Sequence, residues 1–201
     1  MWNTRYGSEE YAYGTDPNEF FKKFIQEYPP GKLLLPAEGE GRNAVYAAGL
    51  GWKVSAFDMS EEGKKKAEQL AKIKQVKIEY DVLNLEQTNY PENSFDAIAL
   101  IYAHFPPHKK SEYHNFLDRY VKTGGIMILE GFSKSHPEVS IENKKPSGPQ
   151  MIDMLYSMEE IKEDFNNYEI IALKEKVIEL NEGMYHKGKS SVIRFVGRKI
   201  K

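Results

Sequence analysis

The chain has 201 residues, 40% of them hydrophobic and 29% charged, which suits a globular chain with one sizeable core rather than a disordered one. A formal net charge of -2 gives no bulk field toward nucleic acid or acidic lipid, and the absence of cysteine excludes disulfides, thiolate metal sites and cysteine nucleophiles. The start, "MWNTRYGSEEY", lacks the basic-then-apolar pattern of a secretory signal, and no apolar run approaches the ~20 residues needed to span a bilayer, so a cytoplasmic location with no membrane partner is expected.

From Lys32 the pattern alternates. "KLLLP" reads as a short buried strand and "GRNAVYAAG" as a small-residue helix stopped by Gly49 and Gly51. "WKVSAFD" is a second strand. Ser60 is a natural N-cap for "EEGKKKAEQLAKI", with Glu61 and Glu62 in its first turn. "QVKIEY" is a third strand ending at Asp81. "SFDAIALIY" is a fourth, nearly continuous in apolar residues, as in a strand covered on both faces. "KKSEYHNFLDRYV" is helical and "GGIMILEGF" is a fifth strand. Strands alternating with helices predict a parallel sheet of right-handed βαβ units. "SMEEIKEDF" is a helix with Ser157 and Glu160 at capping-box spacing. "YEIIALKEKVIEL" and "SSVIRFVGRKI", joined by "NEGMYHKGK", then predict an antiparallel hairpin. The Pro- and Lys-rich stretch over 134–150 reads as a mobile loop. With no repeat and no boundary, residues 1–201 are expected to form a single domain.

The glycines pose the chemical question. Gly39 and Gly41 stand between a strand and a helix, where backbone N–H groups can approach a ligand closely. Asp58 lies 19 residues beyond Gly39 at the tip of the next strand, where a carboxylate can accept both ribose hydroxyls of an adenosine. "GEGRNA" also satisfies a G-x-G-x-x-A dinucleotide pattern, which keeps an NAD-dependent oxidoreductase as an alternative. Against it stand Asp81, placed to accept from an adenine amino group, the reversed terminal hairpin, and a chain too short for a separate catalytic domain. A nucleoside-binding protein without turnover is a further alternative.

The segments "AEGEGRNAVYAA", "SAFDMS", "YDVLNL", "FDAIALIYAHFPPH", "GGIMILEGF" and "NEGMYHKGKSSVIRFVGRK", in that order, resemble the class I S-adenosylmethionine-dependent methyltransferases, and within them the tellurite-resistance/thiopurine-methyltransferase-like branch. The resemblance covers nearly the whole chain. It implies an α/β, Rossmann-like sheet of seven strands in the order 3-2-1-4-5-7-6, strand seven antiparallel, with helices on both faces. It implies S-adenosylmethionine as cofactor and S-adenosylhomocysteine as product, with transfer to a small-molecule acceptor, a soft sulfur, selenium or tellurium nucleophile being one class. It also implies that residues 1–20 cover the cofactor. The cofactor-binding residues it suggests are Trp2, Tyr6, Glu38, Gly39, Gly41, Asp58, Met59, Asp81, Val82 and Tyr102. Tyr13 and His104 are suggested to face the acceptor. The chain departs from the commoner first motif, an acid and then G-x-G-x-G: Leu35 stands at the acid position and Ala37 at the first glycine. Glu38 is then the residue expected to supply the missing charge.

His104, after the fourth strand, is the candidate for proton transfer. Its i,i+4 spacing to His108 suggests no metal, because Pro106 and Pro107 forbid a regular helix between them. Lys64, Lys65 and Lys66 read as the solvated face of a helix. Without a basic surface or an inserted recognition domain, no nucleic-acid partner is expected, and the protein is expected to be a monomer or homodimer.

Overall fold

The computed structural model describes residues 2–143 and 147–201. Its strands are β1 (Lys32–Pro36), β2 (Lys53–Asp58), β3 (Glu79–Val82), β4 (Phe95–Ile101), β5 (Val121–Phe132), β6 (Tyr168–Glu182) and β7 (His186–Lys199). Its helices are α1 (Trp2–Tyr6), α2 (Glu19–Ile25), α3 (Arg42–Gly49), α4 (Glu61–Ile73), α5 (Lys110–Asp118), α6 (His136–Val139) and α7 (Met158–Asp164). All seven strands form one sheet in the order β3-β2-β1-β4-β5-β7-β6. The pairs from β3 to β5 are parallel, and β7 runs antiparallel to both β5 and β6.

The apolar run of β4 has the expected reason. Side chains alternate across a strand, so Ile98 and Leu100 enter one core with Leu34, Met127 and Leu129, while Ala97, Ala99 and Ile101 enter the other with Leu33, Leu35 and Ile128. Local signals also act as their chemistry suggests. Ser60 accepts from the Gly63 amide at the start of α4, and Ser157 and Glu160 close a capping box on α7.

The C-terminal ends of β1, β2, β4 and β5 carry the site. Residues 10–18 cross above them. Glu40 accepts from the amides of Ala12 (2.8 Å) and Tyr13 (3.4 Å), and the Ala12 carbonyl accepts from the Met184 amide (2.8 Å) in the hairpin turn. The segment is thus held between the glycine loop and the β6–β7 turn. Lys66 corrects the reading of a solvated lysine face. It is buried, pairs with Glu40 at 2.9 Å and donates to the Glu10 carbonyl, whereas Lys65 stays exposed. The stretch expected to be a mobile loop carries α6 and buries His136 and Ser147, and its residues 144–146 lie outside the described residues.

Candidate functional site

The glycine loop turns between β1 and α3. Gly39 has φ +64 and Gly41 φ +83, both in the left-handed region that favours glycine. They do different work. A Cβ on Gly39 would lie 2.7 Å from the Tyr6 hydroxyl oxygen, so the missing side chain makes room for the cover, whose phenol rests on this glycine. A Cβ on Gly41 would strike Ala67, so Gly41 serves the close packing of α3 on α4. Ala37, at the position of the commoner glycine, keeps the left-handed turn with φ 52. Leu35, at the acid position, is fully buried in the core and offers the site nothing polar.

One oxygen of Glu38 is taken by α3. Its Oε1 accepts from the amides of Asn43 (2.9 Å) and Ala44 (2.8 Å), which are orphan donors of the first turn of α3. Burial dominates its titration and pushes its carboxyl up to about 7, against those hydrogen bonds and nearby Arg42.

Asp58 sits at the tip of β2, in register with Val82 of β3. Its Oδ2 accepts from the Gly39 amide at 3.1 Å and its Oδ1 from the Ser60 amide at 2.9 Å, so each oxygen keeps a lone pair for another donor. Burial raises its carboxyl above the ordinary value, and the amides of Ser60, Gly39 and Met59 oppose that rise. Beside it Met59 is 67% and Val82 40% exposed, an apolar ledge at two strand tips, with Asp81 also exposed. A two-oxygen acceptor and an apolar ledge next to a second, exposed carboxylate fit the hydroxyl and amino donors and the flat base of a nucleoside.

The N-terminal cover brings aromatic rings over this set. Trp2 stacks on Tyr6 at 5.6 Å, Tyr6 meets Tyr13 edge-on at 6.5 Å, and Tyr13 lies 4.3 Å from the His186 ring. Asn3 accepts from the Ser60 hydroxyl at 2.6 Å, and Arg5 donates to the Tyr13 hydroxyl at 2.8 Å. Tyr102, with φ 54 at the end of β4, donates to Glu130 at 3.1 Å and lies 4.4 Å from His186. Such strained backbone at a strand end is common at functional positions.

His104 is placed by its neighbours as part of the scaffold. Its Nε2 accepts from the Phe132 amide (3.2 Å) and its Nδ1 faces the Met154 carbonyl (3.0 Å), which fixes the neutral ring with the proton on Nδ1. It stacks between Phe132 and Tyr156, and burial lowers its pKa to about 4. A lone pair held by a main-chain N–H is not free to take a proton, so the geometry gives His104 a positioning place rather than a proton-transfer one.

Several residues of the site escaped the sequence reading. Glu130 accepts from Asn18 (2.6 Å), Tyr102 and Arg194, joining the cover, β4 and β7. Arg42 pairs with Glu182 at 2.8 Å and donates to the Tyr13 carbonyl. Glu182 also binds His186. The available signal for Glu130 was a lone acid inside an apolar strand, since such a charge persists only when paired. A cleft of about 470 Å³ opens between residues 13–19 and β6, with Arg42, Glu130 and Glu182 on its walls.

Residues 36–125 match a family described as a methyltransferase domain. No curated protein sequence matches the chain. Among solved structures, one reported for the conversion of a disulfide bond into a thioacetal group during echinomycin biosynthesis is 15% identical, with a TM-score of 0.76, covering 100% of this chain and 92% of that one. TehB from Haemophilus influenzae is 18% identical, with a TM-score of 0.73 over 91% of this chain and 62% of TehB, so the match spans less than two thirds of TehB's length. The 1,6-didemethyltoxoflavin-N1-methyltransferase of Burkholderia thailandensis, solved with S-adenosylhomocysteine bound, is 13% identical, with a TM-score of 0.65 over 91% of this chain and 78% of that one. At these identities the structures speak for the fold, a seven-stranded, Rossmann-like α/β sheet, and the stretch over 36–125 is similar in sequence to methyltransferase domains.

Proposed function

We propose that this protein transfers a methyl group from S-adenosylmethionine to a small-molecule acceptor and releases S-adenosylhomocysteine. The observation that carries the reading is the Asp58 carboxylate. It is buried, held on the Gly39 and Ser60 amides, and keeps one lone pair per oxygen next to the exposed ledge of Met59 and Val82. Asp58 holds the ribose hydroxyls, the ledge takes the adenine face, and Asp81 accepts from its amino group. When bound, S-adenosylmethionine supplies an electrophilic methyl on a sulfonium. The chain's task is then to align the acceptor and keep water out. Trp2, Tyr6, Tyr13 and Tyr102 bring aromatic faces that attract a cation, and the segment clasped by Glu40 and Met184 shuts the site.

The acceptor is small. The cleft beside the cover, at about 470 Å³, suits a small molecule and not a polymer. Placement in the tellurite-resistance/thiopurine-methyltransferase-like branch, with a soft sulfur, selenium or tellurium acceptor, draws support from the likeness to TehB and from the N-terminal cover. The test is calorimetry with S-adenosylmethionine, S-adenosylhomocysteine and NAD side by side. Binding of both sulfur nucleosides and not of NAD is expected. Tight binding of NAD with no response to either would overturn the reading.

A further inference from the structure

Four of the five histidines, His104, His114, His136 and His186, are packed among aromatic rings, and their nitrogens have different fates. Those of His104 are both taken by main-chain groups. His136 likewise meets the Ser147 carbonyl and the Ser191 amide. His114, on α5, binds Asp164 at 2.6 Å and has its Nε2 sealed without a partner among Phe105, Tyr156 and Phe165. His186 differs from all three. Its Nδ1 is 2.9 Å from Glu182 Oε2, its hairpin partner in register. Its Nε2 meets no partner among the described residues and is not sealed as that of His114 is. Around the ring stand Tyr13 from the cover, Tyr102 from the end of β4 and Phe132 from the end of β5. That places it at the C-terminal end of the sheet, beside the proposed site.

We propose that His186, oriented by Glu182, is the proton acceptor in the methyl transfer, and that the methyl acceptor is a neutral nucleophile carrying a titratable X–H, a thiol or a phenol, rather than a preformed anion. This rests on the S-adenosylmethionine-dependent reading above. A carboxylate on Nδ1 fixes the proton there, leaves the Nε2 lone pair as base and stabilises the imidazolium that forms. In the transfer the acceptor's X–H bond breaks, its proton goes to Nε2 and its electron pair forms the X–CH3 bond. The methyl–sulfur bond breaks with its pair remaining on sulfur. The positive charge thus passes from the sulfonium to the imidazolium beside Glu182. A preformed anion would need no such base.

The groups facing His186 are consistent with a base that is neutral at pH 7. Burial lowers its pKa below the ordinary histidine value. Glu182 opposes that, and the guanidinium groups of Arg42 and Arg5 reinforce it. The hydroxyls of Tyr13 and Tyr102 are themselves held protonated by burial, and His104 is neutral. Burial works against the Glu182 charge, but His186 and Arg42 outweigh it and hold that carboxyl at about 2. Glu182 is therefore ionised wherever His186 needs it and acts as a positioning residue.

The experiment compares the wild type with His186→Asn, Glu182→Gln and Glu182→Asp. Calorimetry first measures S-adenosylmethionine and S-adenosylhomocysteine binding. Methyl transfer is then followed on a series of aryl and alkyl thiols and phenols, some ionised at pH 7.5 and some not. Long-range proton–nitrogen NMR reads the tautomer of His186 independently of turnover. Expected are cofactor affinities within a few-fold of wild type in His186→Asn and a kcat about 100-fold lower for un-ionised acceptors, with a far smaller loss for ionised ones. The neutral ring should carry its proton on Nδ1, with mixed tautomers in Glu182→Gln and partial recovery of rate in Glu182→Asp. The proposal is overturned by a proton on Nε2 in the neutral ring, by equal losses across the series, by no loss at all, or by a wild type that binds S-adenosylmethionine and methylates none of these acceptors. Failure of the wild type to bind S-adenosylmethionine would instead remove the reading beneath it.

Discussion

The phenol of Tyr6 stands directly over Gly39: a Cβ on that glycine would come within 2.7 Å of the Tyr6 hydroxyl oxygen. The cover segment and the glycine loop are therefore fitted to each other as well as to a ligand. Gly39→Ala is expected to strain a backbone at φ +64 and push Tyr6 away. The left-handed conformation alone costs an L-residue about 1–2 kcal/mol. A lower melting temperature, with a change in Trp2 fluorescence as α1 lifts, would show both effects. An unchanged melt would mean that the loop relaxes freely.

Ala37 offers the opposite substitution. It holds φ 52 with an ordinary side chain, where the commoner motif has glycine. Ala37→Gly relieves that conformation but loosens the unfolded chain, so a net gain of up to about 1 kcal/mol is expected in chemical denaturation. A clear loss would show that the methyl group packs usefully.

Asp58→Ala is expected to weaken S-adenosylmethionine binding by about 2–3 kcal/mol, since hydrogen bonds to a charged group are the stronger kind. A solvent-facing strand tip would have left the ligand-free protein untouched. The structure says otherwise: Asp58 is buried and holds two main-chain amides, so about 1–2 kcal/mol of stability should go as well. Calorimetry and a melt without ligand separate the two losses.

Glu38→Gln should make the protein more stable than wild type as the pH rises. The folded carboxyl titrates at about 7 and the unfolded one near 4.5, so the wild type loses stability between those values, by roughly 1 kcal/mol per pH unit. The glutamine oxygen can still accept from Asn43 and Ala44, as the one carboxylate oxygen does now. Melting curves at pH 5 and pH 8 check the sign, because the advantage of the variant must grow with pH.

His104→Gln should do the reverse. The folded ring protonates only near pH 4 and the unfolded ring near 6.5. The wild type is thus fully stable above 6.5 and weakens as the pH falls toward 4, by roughly 1 kcal/mol per unit. At pH 7.5 the variant should be about 2 kcal/mol less stable, because the Phe132 amide and the Met154 carbonyl lose well-placed partners. That deficit should shrink through the same window. A deficit independent of pH would mean that the native ring titrates normally.

Periodicity and caps were enough for the strands, the hairpin and the starts of α4 and α7, because those depend on residues close in sequence. The spacing of Gly39 and Asp58 was legible for the same reason: one βαβ unit fixes both ends. Partnerships across the fold were not. Lys66 looked like its exposed neighbour Lys65, and only the approach of Glu40 from another loop buries it. Glu38 is a local case that was missed all the same: one of its oxygens meets the Asn43 and Ala44 amides where the glycine loop turns into α3.

By itself, then, the sequence determined the seven strands, the helices α3, α4, α5 and α7, and which end of the sheet bears acids and glycines, since these follow from local propensity and pattern, whereas α1, α2 and α6 were not legible in it. The histidines were decided by tertiary structure alone. His104 and His186 are alike as residue types in loop-like sequence. One meets two main-chain groups brought from β5 and from residues 151–156, while the other meets Glu182 across a hairpin and keeps a nitrogen bare. The reason is physical: an imidazole's chemistry is set by what its two nitrogens touch, and those partners come from strands that only the folded sheet places side by side.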